Sequence, residues 1–218
     1  DWLVNSLNKF GQKTISPLVD ISNYFMFLLG RPSHIFDLDK ICKKEQTLEI
    51  REGNTTEKLV LLNDEEIKNL ANTIVIADST GPLALAGIMG GSSTMVTANT
   101  TSILVESAVW LPALIRGKAR RFSLISEAAS RFEKGVDPET LEDDFEAICK
   151  LILELTGGTL GKLNFETFFD KNERRVTFSK KRCNDTLGIN VTNEEFERIF
   201  KNLSFKFSTT VSSNSDIL

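Results

Sequence analysis

Apolar positions Trp2, Leu3, Leu7 and Phe10 recur about one helical turn apart, and Gly11 follows where a C-cap belongs, so the chain opens on a helix. An Asp-Trp start inside a helical pattern gives the expectation that the natural chain begins earlier. Ile15 to Val19 reads as a short strand. Asp20 then caps a second helix whose run Tyr24 to Leu29 is apolar on nearly every side, with Gly30 and Pro32 as stop signals. Pro32 to Asp37 is extended. Residues 47–51 and 59–62 are joined by the turn-prone Glu52-Gly53-Asn54, which predicts an antiparallel pair, and Asn63-Asp64 marks the next turn. A second hairpin is predicted from 74–77 and 83–87 around Asp78 to Pro82. Ile103-Leu104-Val105 reads as a buried strand, so at least six strands pass by residue 107.

After Pro138 the period changes. Leu141, Phe145, Ile148, Ile152 and Leu155 repeat at helical spacing, with Asp137 as N-cap, Pro138 at N1 and Gly157-Gly158 as terminator; this helix is expected to pack on the sheets. The stretch 164–175 is polar and irregular, which places a domain boundary near 170–174. Thr192 to Glu195 is a capping box opening a helix with Phe196, Ile199, Phe200 and Leu203 on one face, and Phe205-Lys206-Phe207 reads as a strand after it. The pattern is α+β: antiparallel or mixed β-sheets packed with helices over 1–172, then a small, incomplete helix-and-strand module over 173–218.

At 218 residues, 41% hydrophobic and 26% charged, the chain can bury a full core. It carries no apolar run near the roughly 18–20 residues of a membrane span or a secretory segment, and the expected compartment is cytoplasmic. Cys42, Cys149 and Cys183 are odd in number and far apart, as reduced thiols would be. With a net charge of −4 and a pI near 5.3, any RNA contact has to be local. Three basic clusters could provide it: Arg116 to Arg121 (Arg116, Lys118, Arg120, Arg121), Arg174-Arg175, and Lys180-Lys181-Arg182.

His34 is the sole histidine, and no G-x-S-x-G elbow is present, which argues against a serine triad. No C-x-x-C or H-x-x-x-H pair offers zinc spacing, and no metal site is expected. Gly87, Gly90 and Gly91 do not form a phosphate loop, because no lysine follows them. They fit either the backbone floor of a pocket or a tight turn. A carboxylate beside a buried strand needs a partner, so Glu106 either pairs with a nearby arginine or faces a ligand. His34 is likewise open, as a structural hydrogen-bonder or a substrate contact.

Five blocks taken together, LVDISNYFMFLLGRPSHIFDLDKI (18–41), LALAGIMGG (83–91), ILVESAVW (103–110), IRGKARRFSLISEAASRFEKGVDP (115–138) and RCNDTLG (182–188), resemble the β subunit of bacterial phenylalanine–tRNA ligase across essentially the entire chain. The resemblance implies that 1–172 is a β/β/α sandwich-like editing domain. In that family the β subunit joins a catalytic α subunit in an (αβ)2 heterotetramer and releases tyrosine wrongly esterified to the phenylalanine tRNA. ATP and Mg2+ serve the holoenzyme, and no cofactor is implied for this segment. Carried over by position, the substrate pocket is Glu106, Ser22, Gly87, Gly90 and Ala128, and Glu106 reads the tyrosine hydroxyl. His34 and Asn23, with amides near Gly87 to Gly91, position the water and the ester; no side chain is assigned as general base. Ser22 stands where the family often has threonine, Phe122-Ser123 replaces a common His-Gly, and Ala129-Ser130 a common Ser-His. These departures keep an alternative open: a non-editing structural and RNA-docking module of the synthetase.

Overall fold

The computed structural model describes residues 2–41, 47–166, 175–208, 210–212 and 215–217. The chain divides into two compact units, Asp1–Lys162 and Leu163–Leu218. The boundary expected at 170–174 lies outside the described residues, as do Cys42 and Arg174.

The first unit begins with α1 (Trp2–Lys9) and α2 (Pro17–Leu28). Helix α2 overturns the strand expected at Ile15 to Val19. Pro17 sits at the first helical position, where its fixed φ suits the helix and its missing N–H is not needed, and Ser16 holds the N-cap in an extended conformation. Asp20 therefore lies inside the first turn instead of capping it, and its Oδ1 accepts the Ile15 N–H at 2.8 Å. Nor is α2 buried all round: Ile21 and Phe25 face the core, while Leu28 is 52% exposed.

The strands are β1 (Ser33–Asp37), β2 (Glu49–Glu52), β3 (Lys58–Val60), β4 (Glu66–Lys68), β5 (Ile74–Asp78), β6 (Gly81–Leu85), β7 (Met89–Gly90) and β8 (Ile103–Ser107). All their pairings are antiparallel: β1 with β8, β3 with β4, and a sheet in the order β2-β5-β6-β7. The β5–β6 hairpin is the one read from the sequence, closed by the Asp78 carboxylate accepting from Thr80 N at 2.8 Å. The expected pairing of the strand at 47–51 with the one at 59–62 does not form. Gly53 donates to Thr73 O at 2.8 Å and lies so close to Leu70 that a Cβ there would sit 2.7 Å from the Leu70 Cβ. The chain therefore passes beside the β4–β5 connection rather than folding back, and β2 pairs with β5.

Three short helices, α3 (Pro112–Ile115), α4 (Lys118–Arg121) and α5 (Glu127–Phe132), lead to α6 (Leu141–Thr156). Helix α6 starts three residues later than Asp137-Pro138 suggested, with Thr140 at its N-cap. The reason is Arg31, only 1% exposed. Its guanidinium donates through Nη2 to Asp137 O and to Thr140 Oγ1, and through Nε to Asp144 Oδ2 at 2.9 Å, so the Asp137 carbonyl is spent outside the helix.

Strand alternation places β1 and β8 between two cores. Ile35 packs with Leu3, Leu7, Ile21, Phe25, Ile148 and Ile152 of the helices; Phe36 packs with Leu61, Val75, Leu83 and Leu85 of the sheets. Helix α6 packs on α2 and, with it, on the β1–β8 sheet, so the layers run helices, β1–β8 pair, larger sheet.

In the second unit, α7 (Lys180–Leu187) was not legible as a helix, whereas α8 (Asn193–Asn202) begins at the capping box, Thr192 Oγ1 accepting from Glu195 N at 3.3 Å. Strands β9 (Thr210–Ser212) and β10 (Ser215–Ile217) pair. The strand expected at Phe205 to Phe207 is absent. Phe205 N donates to Phe200 O, and Ser204 at φ 58 turns the chain so that Phe205 and Phe207 lie 5.9 and 5.6 Å from the Phe200 ring.

Removing one partner of a buried pair strands the other charge, so Asp144→Ala should cost about 3–5 kcal/mol in denaturant unfolding. Lys181→Ala, which breaks the exposed pair with Asp185, should leave the unfolding midpoint almost unchanged; equal losses would contradict the role given to Arg31. The second unit leaves Leu203 and Phe205 largely exposed, so α7 and α8 should exchange amide hydrogens faster than α6, and uniform protection would refute this.

Candidate functional site

The β1–β8 register sets His34 directly opposite Glu106. Opposed residues of an antiparallel pair project to the same face, so both side chains point toward the larger sheet and its turn. They line a recess of about 70 Å3 together with Ile76, Leu85, Ile88 and Met89, the glycines 87 and 90, and Ala128 and Phe132 of α5. His34, Glu106, Gly87, Gly90 and Ala128 of the sequence-derived set are thereby brought together. Ser22 and Asn23 are not among its lining residues. Ser22 acts one step behind: its Oγ lies 2.8 Å from Ser33 O and 2.9 Å from Ser33 Oγ, and Ser33 is at the recess.

The glycines have separate reasons. A Cβ on Gly90 would land on His34 Cε1 and Nε2, so only glycine lets the imidazole lie over the turn. Gly87 is left-handed at φ 66, and a Cβ there would be 2.8 Å from the Trp110 ring and 3.1 Å from Phe132. The turn is a weaker source of donors than its glycines suggest, because Ile88 N is spent on Leu85 O and Gly91 N on Leu83 O.

Burial drives both ionisable groups toward their neutral forms. The Glu106 carboxyl is pushed up to about 7 and the His34 imidazole is lowered to about 4, each by desolvation. Glu106 has no hydrogen-bond or ion-pair partner among the described residues, and the arginine pairing considered from the sequence is not made: Arg116 Nη2 donates to Glu133 O at 3.2 Å. His34 stands edge-on to Phe36, ring centroids 4.4 Å apart, and its Nε2 is buried without a partner among the described residues. The recess therefore favours the neutral forms of both groups, among side chains that are apolar apart from Ser33.

Sequence reasoning missed Ile76, Leu85, Ile88 and Phe132, which look like ordinary core residues; the only signal was their place beside the glycines and Ala128. Cys149 and Cys183 are free thiols, and no group of His, Cys, Asp or Glu suited to a metal occurs among the described residues. Among those residues, too, no helix is long and apolar enough to cross a membrane.

The model of one protein family, the B3/4 domain, matches residues 1–157. The chain belongs to the B3/4 domain family. The B3/4 match takes in the whole recess. Among curated proteins the chain is similar to the phenylalanine–tRNA ligase β subunit of Burkholderia mallei, 42% identical over 206 residues, covering 94% of this chain and 25% of that protein. It is also similar to that of Cupriavidus pinatubonensis, 41% identical over 216 residues, covering 99% of this chain and 26% of that one. The chain thus spans about a quarter of the length of the relatives it matches. Among solved structures, an N-terminal fragment of the phenylalanyl-tRNA synthetase β subunit from Pyrococcus horikoshii aligns with a TM-score of 0.45 at 14% identity, covering 92% of this chain and 58% of that one. That likeness is too slight to carry weight beside the sheets and helices themselves.

Two outcomes follow from this geometry. Between about pH 4 and 6.5 the unfolded chain protonates His34 and the native one does not, so this group adds stability as pH rises. Between about 4.5 and 7 the native chain keeps a proton on Glu106 that the unfolded chain has released, so this group removes stability as pH rises. The two slopes oppose each other. Relative to the unaltered chain, Glu106→Gln should gain stability from pH 4.5 to 7 and His34→Gln should lose it, each by at most about 1.4 kcal/mol per pH unit; parallel curves for all three would show that the groups are not desolvated. Gly90→Ala should displace the imidazole and cost about 1–3 kcal/mol by overpacking, and an unchanged melting temperature would contradict the close approach.

Proposed function

We propose that this chain is the editing segment of a phenylalanine–tRNA ligase β subunit, and that its recess hydrolyses tyrosine wrongly esterified to the phenylalanine tRNA. The supporting observation is the unpartnered Glu106 carboxyl in an otherwise apolar recess, opposite a neutral His34. An aromatic ring fits walls made by Leu85, Ile88 and Phe132. A site that satisfies its buried carboxyl with a substrate hydroxyl rejects the analogue lacking it by roughly 10⁴–10⁵, since the site's own polar group would stay unpaired. Phenylalanine, the correct amino acid, is that analogue.

His34 Nε2, buried and without a partner among the described residues, is the group proposed to hold the attacking water or the ester oxygen. Asn23 on α2, which does not line the recess, is assigned the same positioning role on the family resemblance alone. Orientation and electrostatic steadying of the developing oxyanion are enough for an activated ester, and the terminal ribose hydroxyl of the tRNA can share the proton transfer. The rest of the assembly follows from the same reading: a catalytic α subunit in an (αβ)2 enzyme, ATP and Mg2+ bound elsewhere, and a cytoplasmic setting.

The test uses the assembled enzyme and pre-charged Tyr-tRNA and Phe-tRNA. Selective release of tyrosine supports editing; equal persistence of both esters supports the non-editing docking module instead. Glu106→Gln should shrink the tyrosine preference about ten- to a hundredfold, worth about 1.5–3 kcal/mol, without lowering the melting temperature at pH 7. Glu106→Ala should admit phenylalanyl ester almost as well as tyrosyl ester. A destabilised protein with an unchanged tyrosine-to-phenylalanine ratio would end the recognition role of Glu106.

A further inference from the structure

The basic run at 116–121 is not one uniform surface. Arg121 is exposed, yet its donors are committed: Nη2 donates to Asn69 O at 2.9 Å, Nη1 to Ala71 O and towards Thr73 Oγ1, and its guanidinium lies 5.0 Å from the Phe122 ring centroid. Those backbone carbonyls belong to the β4–β5 connection, where Asn69 and Asn72 both take left-handed backbone at φ 58 and 59. The other end of α4 is pinned by Glu133, whose Oε1 accepts Gly117 N at 3.0 Å while its carbonyl accepts Arg116 Nη2. Lys118 and Arg120 make no hydrogen bond or ion pair among the described residues, and Arg120 is exposed.

We propose that Lys118 and Arg120 are the cations of this cluster that meet nucleic-acid phosphates, and that Arg121 is a positioning residue that fixes α4 on the β4–β5 connection. The proposal rests on the editing reading, and it narrows the four cations considered from the sequence. Two observations carry it beyond the presence of charge. The cluster stands on a short helix held at both ends, so its free cations are presented from a fixed base at little ordering cost. The same segment runs through Ser126, whose Oγ donates to Ile88 O at 2.6 Å, into α5, which supplies Ala128 and Phe132 to the recess. The segment that carries α4 thus leads through residues 122–126 into the helix that lines the recess. Residues two apart on a helix diverge by about 200°, so Lys118 and Arg120 would neutralise different phosphates rather than clamp one. On a protein of net charge −4, such contacts have to be local.

The test measures kcat/KM for tyrosine release from Tyr-tRNA by the assembled enzyme across a salt series. Each phosphate contact contributes about 0.7–0.9 to the slope of the logarithmic salt dependence. Lys118→Gln and Arg120→Gln should each lower that slope by about this amount, leave the melting temperature unchanged and leave hydrolysis of tyrosyl-adenosine, an ester without phosphates, at the unaltered rate. Arg121→Gln should lower the melting temperature and keep the slope; Arg121→Lys, which keeps the charge but not the forked donor set, should lower it as well. Unchanged slopes for the Lys118 and Arg120 variants, or an equal slope loss for Arg121→Gln, overturn the assignment. If the unaltered enzyme hydrolyses neither Tyr-tRNA nor tyrosyl-adenosine, it is the editing reading that fails, and the assignment with it.

Discussion

The guanidinium of Arg31 joins the two parts of the chain on which the recess depends. It sits one residue before Pro32 and two before β1, and it donates to the Asp137 carbonyl, Thr140 and Asp144 at the start of α6. A charge almost wholly removed from water needs acceptors, which Nε and Nη2 find on α6 and just before it while Nη1 has none among the described residues, so the segment before β1 and the N-terminal turn of α6 have to arrive together. Helix α6 in turn packs on α2, and both cover the helix-facing side of β1 and β8. The position of His34 is thus set from outside its own strand.

β1 and β8 are shared between two cores, and this makes their register unforgiving. Ile35 and Val105 belong to the helices, while Phe36 and Leu104 belong to the sheets. A slip of one residue would carry His34 and Glu106 towards the largely apolar helical core and would put isoleucine at the recess. The same alternation that secures the fold delivers one imidazole and one carboxyl to a common face.

Around that pair the surroundings are apolar, and this sets the chemistry. Among the described residues neither group has a charged partner to hold its ionised form, so desolvation raises the acid and lowers the base. A recess of this kind is suited to reading a neutral hydroxyl. One basic cluster, on α4, lies outside the recess lining, and there Arg121 is spent on backbone carbonyls whereas Lys118 and Arg120 are not.

Local signals in the chain determined much of this. Proline and glycine stops, the capping box at Thr192, the β5–β6 hairpin and the period of α6 each depend on a few adjacent residues, and each was legible. So were Glu106, His34 and the glycines, because a carboxylate beside Ile103-Leu104-Val105 and glycines at 87, 90 and 91 demand explanation by themselves. Readings failed where the deciding partner is distant. Ile15 to Val19 looks extended until Pro17 is seen to start a helix packed on α6; β2 finds β5 because Gly53 lies against Leu70; α6 begins at Leu141 because Arg31 takes the Asp137 carbonyl. Arg116 and Arg121 look like solvated cations until their acceptors arrive from Glu133 and from the 69–73 connection. Periodicity and caps are written into neighbouring residues, whereas the partner of a buried charge, the neighbour of a strand and the apolar wall of a recess exist only once remote segments have packed together.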